Sequence, residues 1–112
     1  MNKTQLLESL KEKGFSKEIL NAFSKVKREN FVSPRFQEKA YEDTALPIGP
    51  FGNQQTISQP YTIAVMLSLL KLKKGQKVLE IGSGCGYVLA LISEITKTKT
   101  FGVEIVKELT EK

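Results

Sequence analysis

The chain of 112 residues is long enough for one folded domain with a single hydrophobic core. Apolar residues make up 40% of the sequence and charged residues 26%, which excludes collagen-like, disordered and disulfide-scaffold proteins. With one cysteine and no histidine, the sequence predicts no metal site and excludes a histidine-based catalytic triad. Because it contains neither an apolar run of membrane-spanning length nor a signal-peptide pattern, we expect a cytoplasmic protein without membrane contact.

The net charge of +5 comes mainly from lysines that are scattered among glutamates along the whole chain. The densest basic cluster surrounds a glycine at the point where a helix must turn into a strand; it consists of Lys71, Lys73, Lys74 and Lys77. We interpret this cluster as a polar connector, and we expect no nucleic-acid partner.

The first forty residues carry apolar side chains at helical spacing. Residues 5–13 predict an amphipathic helix that stops at Gly14, and Ser16 is placed to cap a second helix. Ser33 and Pro34 provide an N-cap and a first helical residue for a short third helix. The sequence thus predicts an N-terminal helical extension.

The rest of the chain begins with an irregular segment and continues with alternating strands and helices. Residues 42–59 have no sustained period, which predicts a long functional loop, and Pro60 opens a strongly apolar helix. A strand, a glycine loop, a helix and a second strand are then predicted at residues 77–81, 82–86, 87–96 and 100–104. A further helix is expected to begin after residue 104. This βαβ order predicts an α/β fold.

The glycine loop is the strongest local signal. It reads Gly82-Ser83-Gly84-Cys85-Gly86, and Glu104 ends the next predicted strand. In a doubly wound sheet, such a loop lets the backbone approach a nucleotide, while the acidic side chain accepts hydrogen bonds from ribose hydroxyls. The glycine spacing differs from the dinucleotide fingerprint, and Glu80 would repel a pyrophosphate but suit a cofactor with a positive charge. The residues therefore favour S-adenosylmethionine over NAD; the alternative is a merely structural turn.

Four sequence blocks, in their order and spacing, resemble protein-L-isoaspartate O-methyltransferases. They are Ala40-Tyr41-Glu42-Asp43, Leu46-Pro47-Ile48-Gly49, Gln55-Thr56-Ile57-Ser58-Gln59-Pro60-Tyr61 and Val78-Leu79-Glu80-Ile81-Gly82-Ser83-Gly84-Cys85-Gly86-Tyr87. Arg28-Glu29-Asn30-Phe31-Val32 fits the same family, so the resemblance runs from about residue 20 to the end. The glycine loop identifies methyltransferases in general, whereas residues 55–61 are far more specific. Cys85 and the longer approach at residues 50–54 depart from the usual pattern.

The resemblance implies that a methyl group passes from S-adenosylmethionine to the free carboxylate of L-isoaspartyl residues in damaged proteins, which are then the substrates. By the same resemblance, Ser58 is the active-site serine, and Thr56, Ile57 and Gln59 lie on the substrate side. The implied cofactor positions are Glu80, Gly82, Ser83, Gly84, Gly86 and Glu104. Ser58 also has a second interpretation, because a serine before Gln-Pro is a good helix N-cap.

We therefore expect a doubly wound, Rossmann-like S-adenosylmethionine-dependent methyltransferase fold, truncated after its second strand. Residues 1–59 are expected to form the helical extension and the substrate-side loop, and residues 60–112 the first, incomplete βαβ part of the cofactor-binding domain. A missing C-terminal half, or self-association, is expected to cover the sheet. Two alternatives stay open: a non-catalytic remnant or subunit that binds a nucleoside cofactor or a missing C-terminal partner, and another S-adenosylmethionine-dependent methyltransferase such as one acting on RNA.

Overall fold

The computed structural model describes residues 1–48 and 56–104; the predicted helix after residue 104 and the unusual approach at residues 50–54 lie outside them. The α-helices are α1 (Lys3–Glu12), α2 (Lys17–Lys25), α3 (Pro60–Leu70) and α4 (Tyr87–Thr96), with 3-10 helices at Arg28–Asn30 and Pro34–Lys39. The strands are β1 (Leu46–Pro47), β2 (Thr56–Ile57), β3 (Leu79–Ile81) and β4 (Phe101–Val103). None of the helices in this described part has the length and apolar character needed to cross a bilayer.

The two predicted N-terminal helices are present, although the first begins two residues earlier than the predicted range of 5–13 and ends at Glu12. Asn2 and Gln5 cap α1 reciprocally, each side chain accepting a hydrogen bond from the other residue's backbone N–H over 2.9 Å. Gly14 follows this helix with a φ of +87°, a conformation that glycine adopts without strain. The Ser16 hydroxyl accepts a hydrogen bond from the Ile19 N–H over 3.3 Å, which confirms the predicted cap of α2.

The structure corrects two predictions between residues 33 and 59. The expected third helix is a 3-10 helix, Pro34–Lys39, whose backbone leaves helical values at Phe36. The expected loop contains a short antiparallel ladder in which Leu46 lies opposite Ile57. Both side chains are buried, so packing in the core accompanies the pairing. A two-residue strand has no period that the sequence could reveal.

One hydrophobic cluster joins the N-terminal helices to α3 and α4. Helix α2 packs against α4, with the Phe23 ring edge-on to Tyr87 at a centroid distance of 6.5 Å. Leu10, Ala64 and Leu91, which belong to three different helices, have no exposed surface. Since each buried leucine or phenylalanine contributes about 1.5–3 kcal/mol, this cluster holds the start of α4 firmly against the N-terminal helices.

Strands β3 and β4 pair in parallel, and α4 connects them and packs on one face of the pair. The other face is apolar and exposed, because alternate residues of both strands point to the same side. Exposed apolar side chains on α3 border the same side, next to β3. We call this set the uncovered apolar face; it consists of Met66, Leu70, Leu79, Ile81, Phe101 and Val103, which are 50–83% exposed. Parallel sheets are normally covered on both faces, whereas this face is exposed in the part of the chain that the structure describes.

Candidate functional site

The glycine loop between β3 and α4 has a backbone that favours glycine at three positions. Gly82, Gly84 and Gly86 have φ values of +78°, +57° and +89°. The N–H groups of Gly82 and Ser83 both donate to the carbonyl oxygen of Val103, over 2.6 and 3.1 Å. The loop is therefore anchored to the carboxyl end of β4.

The structure brings Glu104, the predicted acidic residue at the end of β4, to the glycine loop. The Gly84 N–H donates to Oε1 of Glu104 over 2.8 Å. A hydrogen bond to a carboxylate is charge-assisted, so it fixes the acidic group firmly beside the loop. In open α/β sheets, ligands bind at this edge, where the carboxyl ends of the parallel strands meet.

Gly102 is a site residue that the sequence analysis did not identify. A Cβ placed on Gly102 would lie 2.7 Å from the Ser83 Cβ and 2.5 Å from the Leu89 Cδ1. Real Cβ atoms do not approach other carbons this closely, so only glycine lets β4 pass so near the loop and α4. The available signal was a glycine inside a predicted strand, which often marks a close backbone approach.

Glu80 contributes an unpaired carboxylate oxygen to the region in front of the loop. Its Oε1 is buried and accepts no hydrogen bond from the described residues. Burial raises the pKa of Glu80, since a desolvated carboxylate is harder to ionise. An unpaired carboxylate in such a place favours a ligand that brings a positive charge or hydrogen-bond donors.

Two cavities lie around Glu80. A small one of about 90 Å³ lies against the glycine loop, with Ser58, Glu80 and Gly84 among its lining residues. A larger one of about 330 Å³ lies between α3 and β3 and opens beside the uncovered apolar face. Ser58 and Glu80 line both cavities, so these two predicted residues occupy one site.

Ser58 lies between β2 and α3, is exposed, and donates its hydroxyl to no group in the described part of the chain. The capping interpretation of Ser58 is wrong, because the N-cap of α3 is Gln59. The first turn of α3 instead gains an acceptor from a distant segment, where Asp43 Oδ1 accepts from the Tyr61 N–H over 2.9 Å. This leaves the Ser58 hydroxyl available to a ligand.

The remaining predicted residues fall into two groups. Thr56 is exposed and Ile57 is buried opposite Leu46, yet both line the small cavity. Gln59 and Gly86 are not among the described lining residues of either cavity. Gly86 is instead the N-cap of α4, where its φ of +89° turns the loop into the helix.

Arg28 is a second residue near the site that the sequence analysis did not assign. It is completely buried, and its Nη2 donates to the carbonyl oxygens of Thr44 and Ser58, each over 3.3 Å. Its guanidinium carbon lies 5.1 Å from the centre of the Tyr87 ring. Burial lowers the pKa of Arg28. Since arginines are mostly exposed, burial of Arg28 was not expected, and the signal for it was its position in a block that resembles the family.

Comparison with known proteins matches this geometry. The family model described as Protein-L-isoaspartate(D-aspartate) O-methyltransferase matches residues 1–112. A protein-L-isoaspartate O-methyltransferase of Dictyoglomus turgidum is 46% identical over 107 residues, which are 95% of this chain and 47% of that protein. The chain spans about half the length of the curated relatives it matches.

Two solved structures resemble the fold closely. A protein-L-isoaspartate O-methyltransferase is 34% identical, with a TM-score of 0.85 over 98% of this chain and 36% of that one. A Plasmodium falciparum chain, described as a putative protein-L-isoaspartate O-methyltransferase and solved with S-adenosyl-L-homocysteine, is 29% identical, with a TM-score of 0.82 over 99% of this chain and 52% of that one. These likenesses confirm the predicted α/β methyltransferase fold. The chain belongs to the protein-L-isoaspartate(D-aspartate) O-methyltransferase family.

Proposed function

We propose that this chain provides the cofactor edge and the substrate-side segment of an enzyme that methylates isoaspartyl residues in damaged proteins. The methyl donor is S-adenosylmethionine, and the acceptor is the free carboxylate of the isoaspartyl residue. The observation that carries the proposal is that the Ser58 hydroxyl and the unpaired Glu80 carboxylate line one cavity against the glycine loop. Membership of the family supports the choice of reaction.

The residues at this edge fit S-adenosylmethionine. The buried, unpaired Oε1 of Glu80 suits the positive end of the cofactor, and Glu104 stands where ribose hydroxyls need an acceptor. We assign the nucleoside contacts to the backbone of Gly82, Ser83 and Gly84, and we assign to Gly86 the turn that holds this loop on α4. When bound, S-adenosylmethionine supplies a methyl group on a positively charged sulfur.

The chain needs to align the reacting groups rather than to remove a proton. A carboxyl group with a pKa near about 4 is already ionised at neutral pH, so it attacks without a general base. We assign to Ser58 a hydrogen bond that orients this carboxylate, and to Thr56, Ile57 and Gln59 the adjoining substrate contacts. Bonding of the carboxylate oxygen to the methyl carbon would break the sulfur–methyl bond and release neutral S-adenosylhomocysteine beside a neutral methyl ester, so no proton would need to move. Alignment and exclusion of water then supply the rate enhancement.

We propose that polypeptide beyond the described residues closes the cleft. The cavity against the glycine loop, about 90 Å³, is far smaller than the roughly 300–1,000 Å³ typical of small-molecule sites, and the adjoining cavity of about 330 Å³ opens beside the uncovered apolar face. We propose that the part of the relatives that has no counterpart in this chain covers the uncovered apolar face and closes the cleft. In this proposal, residues 1–59 contribute the helical extension and substrate side, and residues 60–112 the first part of the cofactor-binding domain.

The test uses this chain continued by the unmatched part of the Dictyoglomus turgidum relative, here named the completed chain. Radiolabel transfer from S-adenosylmethionine to an isoaspartyl peptide is measured beside the same peptide with ordinary aspartyl. We expect transfer to the isoaspartyl peptide alone. Transfer to RNA instead, or cofactor binding with no transfer to the peptide, would contradict the proposed substrate; tighter binding of NAD than of S-adenosylhomocysteine would contradict the cofactor.

A further inference from the structure

We infer that Arg28 is a positioning residue that ties the substrate-side segment to the helix behind the glycine loop, an inference whose catalytic part rests on the proposed function. Three separate parts of the chain meet at this side chain. Its Nη2 bridges the carbonyl oxygens of Thr44 and Ser58, and its guanidinium lies against Tyr87, the first residue of α4. The proposed substrate and cofactor sides are thereby joined through one group.

The chemistry of Arg28 is unusual for a purely structural residue. Its side chain is completely buried, and its Nε and Nη1 find no acceptor among the described residues. Desolvating a guanidinium is costly, and an apolar side chain of similar volume is often equally stable in such a place. A charged group therefore gives this position something that packing does not. A single nitrogen that donates to two carbonyl oxygens, on a planar group held 5.1 Å from an aromatic ring centre, gives fixed geometry.

The geometry acts on Ser58 through its backbone. Holding the Ser58 carbonyl oxygen limits rotation of the peptide after Ser58, and this limits where the hydroxyl of the same residue can point. Tyr87 is itself fixed, since it is 2% exposed and its ring lies 5.5 Å from that of Phe31. Arg28 thus links the backbone of the exposed Ser58 to the tightly packed start of α4. Without this link, we expect Ser58 to sample several orientations while the core stays packed.

The experiment compares Arg28→Met with Arg35→Met. Arg35 is the control because it lies in the neighbouring 3-10 helix, is exposed, and has its guanidinium carbon 5.8 Å from the centre of the Phe36 ring. Arg28→Lys is made as well, because it keeps the buried charge but loses the planar guanidinium that lies against the Tyr87 ring. Hydrogen exchange of residues 56–62 and 3–12 is followed by mass spectrometry in the 112-residue chain and in the completed chain. Melting temperature, S-adenosylhomocysteine affinity and methyl transfer are measured in the completed chain.

Relative to the wild-type chain, we expect both Arg28 variants to accelerate hydrogen exchange more in residues 56–62 than in residues 3–12. Arg35→Met should not cause this difference. In the completed chain, kcat on the isoaspartyl peptide should fall about tenfold to a hundredfold, while S-adenosylhomocysteine affinity changes less than about threefold. If turnover falls only together with melting temperature and S-adenosylhomocysteine affinity, Arg28 is merely structural and the inference is overturned. Unchanged exchange in residues 56–62 in a folded variant would overturn it as well. If the wild-type completed chain transfers no methyl group, the proposed function fails, and the exchange data still decide whether Arg28 holds the segment.

Discussion

Gly102 in β4 lies against Ser83 in the glycine loop so closely that a Cβ on Gly102 would stand 2.7 Å from the Ser83 Cβ. We therefore predict that Gly102→Ala displaces the loop and destabilises the fold by about 1–3 kcal/mol, the usual cost of overpacking. S-adenosylhomocysteine affinity in the completed chain should fall as well. Urea unfolding and calorimetry measure the two effects.

Gly75→Ala is the control for this prediction. Gly75 has a φ of +90°, but a Cβ there meets nothing within 4 Å. The control therefore has backbone strain without a collision, and it should lower stability by about 1–2 kcal/mol while leaving cofactor affinity unchanged. Equal affinities for the Gly102→Ala and wild-type chains would show that the close approach does not shape the cofactor site.

The contact between Gly84 and Glu104 leads to a second prediction. Glu104→Ala removes the acceptor of the Gly84 N–H and the charge assigned to the ribose hydroxyls. Losing charge-assisted hydrogen bonds should weaken S-adenosylhomocysteine binding in the completed chain by about 1.5–3 kcal/mol, which calorimetry detects directly. Glu94→Ala is the control, because Glu94 lies on α4 and its described ion pair, over 3.0 Å, is with Lys97. Similar affinities for both variants would remove Glu104 from the site.

Glu80 predicts a pH dependence. Burial raises its pKa above the ordinary value of 4.5, so the folded protein binds this proton more tightly than the unfolded chain does. The tighter binding of this proton therefore stabilises the folded protein fully below pH 4.5, and the stabilisation is lost as the pH rises through the raised pKa of Glu80. Glu80→Gln should remove this loss and make the unliganded completed chain more stable at neutral pH. Thermal melts from pH 4 to pH 8 measure the difference between the two chains.

The same carboxylate should act in the opposite sense on the ligand. A positively charged cofactor favours ionised Glu80, so S-adenosylmethionine affinity should rise with pH over that window in the wild-type completed chain. The rise should be smaller in Glu80→Gln and unchanged in Glu94→Gln. Two results would contradict the role assigned to Glu80. One is a Glu80→Gln chain that is less stable than wild type at neutral pH; the other is a Glu80→Gln chain whose cofactor affinity equals that of wild type at every pH.

The features of the fold and of the site that could be predicted from the sequence depend on local chemistry. The Ser16 cap and the bounds of the helix at residues 87–96 follow from hydrogen-bonding groups and apolar periods a few residues apart. The features that the sequence did not predict depend on distant contacts. Asp43 supplies an acceptor to α3 from 18 residues away, and Arg28 becomes buried only because separate segments close around it. Neither contact leaves a pattern in the nearby sequence, since both depend on tertiary packing.

Ser58→Ala separates the two roles that the sequence allowed for this serine. Since Gln59 rather than Ser58 is the N-cap of α3, the substitution should change the free energy of unfolding by less than about 0.5 kcal/mol. Turnover on the isoaspartyl peptide should fall about tenfold to a hundredfold, the loss expected for one hydrogen bond to a carboxylate. Ser68→Ala, an exposed serine on α3, should leave both quantities unchanged. A Ser58→Ala chain with wild-type turnover would exclude Ser58 from substrate alignment.

The uncovered apolar face predicts self-association of the purified 112-residue chain. Leu79 and Ile81 are 59% and 83% exposed, and contiguous apolar surfaces of this kind drive association when nothing covers them. The double variant Leu79→Thr with Ile81→Thr keeps strand-favouring, β-branched residues but makes this face polar. We expect sedimentation velocity to show oligomers of the wild-type chain and a shift toward monomer in the double variant. Tyr61→Thr, an exposed aromatic outside this face, should not cause the shift.

The 112-residue chain is also expected to transfer little or no methyl group by itself. In doubly wound folds the ligand lies across the carboxyl ends of several strands, and among the described residues only β3 and β4 form the parallel part of the sheet. The edge of β3 opposite β4 has no described strand partner, so one side of the cleft has no wall from this part of the chain. The 112-residue chain and the completed chain are therefore assayed side by side with the isoaspartyl peptide. Equal turnover by the two, lost from both on Ser58→Ala, would show that the first half alone forms the catalytic cleft.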